Sequence, residues 1–397
     1  MNLLRTRLFT LISIAAVLAL CSPAFGEDPT QNLEATANRL VTQCAAIHEG
    51  DLVLIEGQPR DLDLLEHVAV EVRKQGAFPL INVEREQLTL RMYTEVPNKY
   101  DDQTPMMRMK LAGIIDAVIR VDAEENPNLL AEVPVARVAA HSKALRPVHE
   151  VMMNRNVRQV ELGNGLYPTE AKARQFGVSL NELTTMFWKG VNVDYTRLQA
   201  IADTVRSRMT RGNTVRITDA RGTDFQCRIQ KRPVLINDGV ISSDDVRAGK
   251  AACEVWLPAG EVYCTVVPDT AEGTIVIDRH YFQGQEIRDL RLTFKNGRLT
   301  NMTAKSGLEQ LKQLYDASGK GKDLFGAIDI GINPDIRTPE NSRMMTWMAS
   351  GMITLGIGND TWAGGDNNCE FDLYTHLRDG TLTIDGNTLV DKGKLTP

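Results

Sequence analysis

The chain has 397 residues, of which 43% are hydrophobic and 24% charged, enough apolar material for more than one buried core and too much for a disordered or fibrous protein. Acidic side chains outnumber basic ones, 51 to 45. That balance argues against nucleic acid or an anionic membrane surface as the partner.

In chain order, residues 1–26 combine Arg5 and Arg7, an apolar run from Leu8 to Leu20, and small residues at Ala24 and Gly26. This is the pattern of a secretory signal peptide cleaved before Glu27, so the mature protein is expected to be exported, periplasmic or extracellular. The run is shorter than the about 20 residues that span a bilayer, and no later segment is long and apolar enough, so no membrane association is expected of the mature form. Cleavage removes two arginines and no acid, which makes the mature chain more acidic than the −6 of the whole. The remaining cysteines, Cys44, Cys227, Cys253, Cys264 and Cys369, are few, widely spaced and odd in number, so they form no disulfide framework. Cys253 and Cys264 fall in a β-like segment, where they either pair or stay buried as free thiols.

Leu33, Ala37, Leu40, Val41 and Cys44 recur at helical spacing, and Gly50 releases the chain into the buried strand LVLIE at 52–56. A helix from near Asp61, with Leu65, Val68, Ala69 and Val72 on one face, ends at Gly76 before the strand PLINV at 79–83. Strand, helix and strand in such a short span make a βαβ unit and a parallel sheet. The alternation continues through AVIRV (117–121), a helix over 135–144 and RQVEL (158–162). Ser179 and Asp194 start two further helices, the second ending at Gly212. Beyond it come short runs of alternating polarity with Asn-Gly and Arg-Gly turns, TVRIT, FQCRI, TIVID and LRLTF, which read as antiparallel hairpins. One helix, 307–318, interrupts them. The expected fold is therefore an N-terminal parallel-sheet α/β domain (27–190) followed by a C-terminal mixed α+β domain rich in antiparallel strands (191–397).

Several chemistries are unsupported. LIEGQPRD stands after the first strand where a dinucleotide fold needs GxGxxG. SGKGKD (318–323) lacks the spacing of a phosphate loop, and neither GxSxG nor HExxH occurs. The six histidines are scattered, so any bound metal would depend mainly on carboxylates.

The segments EGDLVLIEG, RKQGAFPLINVE and YPTEAKARQFGVSLNEL, then RGTDFQCRI, RPVLINDGVIS, LPAGEVYCTVVPDTAEGTIVID, FKNGRLTNMTAKSG, AIDIGINPDI and GMITLGIGNDTWAGGDNNCEFDLY, occur in one order at compatible spacing. Together they resemble the aminopeptidase T family of metallopeptidases. The resemblance implies a two-domain homodimer whose C-terminal domain holds two metal ions, which activate a water to remove N-terminal residues from peptides. It also implies where the ligands should stand. The glutamate of Pro-x-Gly-Glu-Val is present as Glu261. The second glutamate position falls at Ala327, a histidine at Thr354, a tyrosine at Thr361, the last histidine at Asp372 and the last aspartate at Tyr374. Alanine and threonine bring neither charge nor imidazole, and losing even a residue that supports a ligand costs about 10–100-fold in affinity or activity. The family's two-metal centre is therefore not expected to form as such.

Two readings follow. The first is an exported, degenerate relative that binds a peptide or a partner protein without hydrolysing it. The second is an active metal-dependent aminopeptidase with an altered site, in which Glu261, Asp329 and Asp372, with Asp360, Asp366 and Glu370 nearby, hold Mg²⁺, Mn²⁺, Ca²⁺ or Zn²⁺. In a strand, Asp329 shares a face with Ala327 at an offset of roughly 6.6 Å, and His376 shares one with Asp372 and Tyr374. The plainer reading of the loop acids is that they cap turns and strand ends.

Overall fold

The apolar run Leu52–Gly57, buried over nearly its whole length, lies inside a five-stranded parallel sheet, where both faces must be covered and alternation disappears. The computed structural model describes residues 32–126, 128–339 and 342–396; the expected signal peptide lies outside them. The sheet runs Phe78–Val83, Leu52–Gly57, Ala117–Val121, Arg158–Leu162 and Glu254–Leu257. Helix Leu62–Lys74 turns Leu64, Leu65, Val68 and Val72 inward and packs on the first two strands. Ser179 and Asp194 accept backbone N–H bonds from Glu182 and Arg197, and so start helices Leu180–Val191 and Tyr195–Arg211 where expected.

The fifth strand of this sheet comes from well beyond residue 190, the boundary expected between the domains. Glu254–Leu257 is four residues long, and so short an apolar run carries no information about which sheet will accept it.

The remaining strands form two antiparallel sheets, one of eight strands and one of five. The chain thus has the expected α/β class, with a parallel-sheet region and a mixed region rich in antiparallel strands. The five-stranded sheet runs Asp372–Leu377, Ile353–Gly358, Phe325–Gly331, Glu261–Thr265 and Val234–Asn237. Phe325 ties the two antiparallel sheets together, packing edge-on to Phe294 at a centroid separation of 5.3 Å and tilted against Phe225 at 4.7 Å. Helices Glu86–Glu95, Met106–Ala112 and Glu170–Phe176, absent from the sequence reading, fill connections in the first half. Cys253 and Cys264 are both free and buried, one beside the parallel sheet and the other within the five-stranded sheet. Among the described residues, no helix is long and apolar enough to cross a membrane.

Two close approaches fix the segment after residue 331. Asn333, wholly buried, donates from Nδ2 to the carbonyls of Gly190 (3.1 Å) and Ala259 (2.6 Å). Gly331 leaves no room for a side chain, because a Cβ there would lie 2.2 Å from the Ala349 carbonyl oxygen and 2.4 Å from that of Trp347. Both obstacles are backbone. Gly331→Ala is expected to cost more than about 2 kcal/mol in urea unfolding, by forcing the Trp347 segment off the sheet.

Candidate functional site

Strand register places the residues singled out from the sequence on one face of the five-stranded sheet. Asp329 pairs with Tyr263 on one side and Thr354 on the other, and Thr354 pairs with His376. Two residues along lie Ala327, Gly356 and Tyr374, and in the opposite direction Gly331 and Glu261. Because side chains alternate with period two, all of these share a face. The inference that Ala327 and Asp329 look the same way, and that His376 lies with Tyr374, is what the register shows.

This face forms one wall of a cavity of about 260 Å³. The other wall comes from the carboxyl ends of the parallel strands, as Glu161, Trp256 and the turn residues Asn164 and Gly165. Open α/β sheets place their ligands at such ends. Glu161 and Trp256 are direct strand partners.

Glu261 is the joint between the walls. Its Oε1 accepts from Asn164 Nδ2 at 2.9 Å and its Oε2 from Asn237 Nδ2 at 2.5 Å. Each amide is fixed by a second bond, Asn164 to the Pro258 carbonyl and Asn237 to that of Trp256. Two N–H donors aimed at it suit a carboxylate, yet burial outweighs them and pushes Glu261 up to about 7. Burial likewise raises Glu161 to about 7. Asp329, 1% exposed, is pushed well above the usual carboxylate range by burial and by Glu261. Its Oδ1 has no hydrogen-bond partner.

The other acids considered from the sequence do not join them. Asp372 is exposed at the end of its strand opposite Gly358 and does not line the cavity. Asp360 caps its turn, accepting from the Asn367 N–H at 2.8 Å. Glu370 pairs with Arg146 at 3.2 Å, and Asp366 is exposed. Thr361 bonds back to Asn359 through both its N–H and its hydroxyl. Asn367 donates to the Gly358 and Gly321 carbonyls, and Gly351, Gly358 and Gly364 take positive φ, so the glycine-rich stretch is a built turn system. His376 is held away from the cavity, with Nδ1 2.8 Å from Thr354 Oγ1 and its ring edge-on to Trp347.

The two-metal centre implied by the sequence resemblance does not fit these residues. Glu161, Glu261 and Asp329 line one cavity, but among the described residues no three His, Cys, Asp or Glu side chains converge so as to hold a metal ion. Ala327, Thr354 and Tyr374 occupy three of the other implied ligand positions without supplying a charged or imidazole donor, and the fourth, Asp372, keeps a carboxyl group that does not line the cavity.

Aromatic rings fill much of the space instead, and the sequence reading missed them. Trp256 packs on Tyr263 (centroids 6.1 Å apart), Tyr263 on Trp362 (5.2 Å), Trp362 on Tyr374 (5.6 Å), and Trp347 on both Trp362 and Tyr374 (5.5 and 4.7 Å). Trp347 and Trp362 flank and occupy the glycine-rich stretch, which was a signal available in the sequence. Glu161, Asn164 and Trp256 gave none, because the first two lie about a hundred residues from the strand they face.

Parallel and antiparallel sheets thus enclose between them a cavity lined by carboxyl groups and aromatic rings. The thermophilic metalloprotease (M29) profile matches residues 29–328, and the chain belongs to that family. Thr354, Thr361 and Tyr374 lie beyond the matched span. Wild-type AmpT from Thermus thermophilus superposes with a TM-score of 0.69 at 14% identity, covering 92% of this chain and 99% of its own. A 2,5-dihydroxypyridine dioxygenase from Pseudomonas putida superposes with a TM-score of 0.58 at 12% identity, covering 92% and 97%. At such identities the likeness is one of fold. Among curated proteins none matches in sequence.

Proposed function

We propose that this chain is an exported member of its family that binds a peptide or partner protein in the cavity between its sheets and does not hydrolyse it. The observation that carries the reading is the donor set. One of the family's ligand positions keeps its residue, as Glu261, and that carboxylate is taken up by two asparagine amides rather than left open toward a metal. The neighbouring positions are closed by alanine, threonine and stacked rings. The fold does not choose between activities, since it superposes on chains named as an aminopeptidase-type protein and as a dioxygenase. The signal-peptide pattern of residues 1–26 supports export, and the family resemblance supports a homodimer.

The second reading, an active aminopeptidase with a rebuilt carboxylate site, draws on Glu261 and Asp329 sharing the cavity wall. The two separate in one experiment. Mature protein is titrated calorimetrically with a set of short unblocked peptides in buffer containing Zn²⁺ or Mn²⁺, and each peptide is then recovered for mass spectrometry. Saturable binding with every peptide recovered intact supports recognition without hydrolysis. Loss of the N-terminal residue, abolished in Glu261→Ala, overturns it.

A further inference from the structure

The cavity's composition narrows the ligand, and the narrowing rests on the reading of the site as a binding pocket. Its walls carry three carboxylates, Glu161, Glu261 and Asp329, and five aromatic rings, with no lysine, arginine or histidine among the lining residues. The rings are contiguous, each within about 6 Å of the next by centroid. Asp329 and Trp362 line this space, and Asp329 Oδ1 and the Trp362 indole N–H are each buried without a partner. A buried carboxylate oxygen left unbonded is costly, and positive charge brought into the adjoining cavity offsets that cost.

Three kinds of cation can be weighed against this wall. A divalent metal needs several oxygen or nitrogen donors converging at about 2–2.6 Å, and no such group of three forms among the described residues. A small, strongly hydrated ammonium must replace its water with hydrogen-bond acceptors on several sides, whereas the acceptors here lie on the carboxyl side, with Glu261 already taken up by Asn164 and Asn237, and the rings offer a negative face without acceptors. A methylated ammonium sheds its hydration at less cost, presents methyl groups to the ring faces, and takes its counter-charge from carboxylates at the rim of the box.

We propose that the cavity is an aromatic box for a methylated organic ammonium group. Trp256, Tyr263, Trp347, Trp362 and Tyr374 supply the rings, and Asp329, whose ionisation burial disfavours while the cavity is empty, ionises as the cation enters and becomes its principal counter-charge.

Tetramethylammonium chloride is the probe. Calorimetric titration of the mature protein is expected to give saturable one-to-one binding. The neutral isostere 3,3-dimethylbutan-1-ol and ammonium chloride should each bind at least about tenfold more weakly, since desolvated cation–π contacts are worth about 2 kcal/mol and 1.4 kcal/mol is tenfold. Asp329→Asn keeps the side-chain shape and should weaken tetramethylammonium by about tenfold. Trp362→Leu should do the same, with circular dichroism confirming that each variant folds. A peptide with a trimethylated α-amine that binds more tightly than tetramethylammonium assigns the group to a peptide, whereas equal or weaker binding assigns it to a free small cation. Either result keeps the box. Absence of saturable binding, equal binding of the neutral isostere, unchanged binding in Asp329→Asn, or stoichiometric Mn²⁺ that displaces the probe overturns it. If short peptides bind intact while tetramethylammonium does not, only the box fails. Peptide hydrolysis instead removes the binding-pocket reading, and this inference with it.

Discussion

Ala327→Glu, which restores the glutamate that the family resemblance implies at that position, is expected to destabilise the protein by about 2–6 kcal/mol without restoring a metal site. Ala327 is wholly buried and clusters with Tyr263 and Ala363, with Trp362 packed against them. Its Cβ also lies close to Gly356, where a Cβ would meet Trp362 at 3.3 Å. A glutamate there meets two separate costs. Inserting extra methylenes into a packed cluster costs about 1–3 kcal/mol, and an unpaired polar group adds about 1–3 kcal/mol more. The measurement is the urea midpoint at neutral pH with and without excess Zn²⁺. A variant as stable as the parent, or one that regains stability on adding metal, would show that the ligand position is an open vacancy rather than a filled one.

The second large effect is on the acid side of the stability curve. Burial holds His376 down to about 3 and His280 down to about 4, with His280 adding to the depression of His376. An unfolded histidine titrates near about 6.5. Below that pH the unfolded chain takes up protons that the folded chain refuses, so stability falls as pH drops from about 6.5 toward the folded values. For His376 alone the loss reaches about 2–3 kcal/mol by about pH 4.5. Glu161, Glu254 and Glu261, raised to about 7 by burial, act with the opposite sign, since their cost to the folded state is relieved on acidification. The histidine contribution is therefore read as a difference. His376→Gln preserves a hydrogen-bonding group toward Thr354 but cannot take up the proton. Its stability relative to the parent should improve by about 2–3 kcal/mol between pH 7 and 4.5, measured by urea unfolding. A pH-independent difference would contradict a buried, neutral His376.

Much of the fold was legible where local signals were strong. AVIRV and RQVEL are the strands Ala117–Val121 and Arg158–Leu162 with no shift of boundary, because the first is a short β-branched run, the second alternates with period two, and each is flanked by clear breaks. The parallel pairing followed from the intervening helices. What could not be read was pairing at a distance. Glu254–Leu257 enters the parallel sheet beside a strand about a hundred residues earlier, and nothing in four residues encodes that choice.

The site divides in the same way. Glu261 and Asp329 were accessible through the family resemblance and the period of a strand, and both line the cavity. Asp372 shares the strand period but stands exposed at its end, where the sheet stops and the cavity does not reach. Trp256, Trp347 and Trp362 read in isolation as core residues. Their convergence depends on a four-residue strand, an irregular segment and a turn meeting in space. The substituted ligands pointed to what had been lost, whereas the rings, visible once the sheets are assembled, point to what the cavity now prefers.

Recognition without hydrolysis is tested most directly by measuring metal content and turnover on one preparation. Purified mature protein, dialysed against Zn²⁺, Mn²⁺ or Mg²⁺ and freed of excess, is analysed for bound metal and assayed with aminoacyl-nitroanilides beside Glu261→Ala. The expected result is metal well below one ion per chain and no turnover above that of the variant. Stoichiometric metal with turnover that disappears in Glu261→Ala would contradict it.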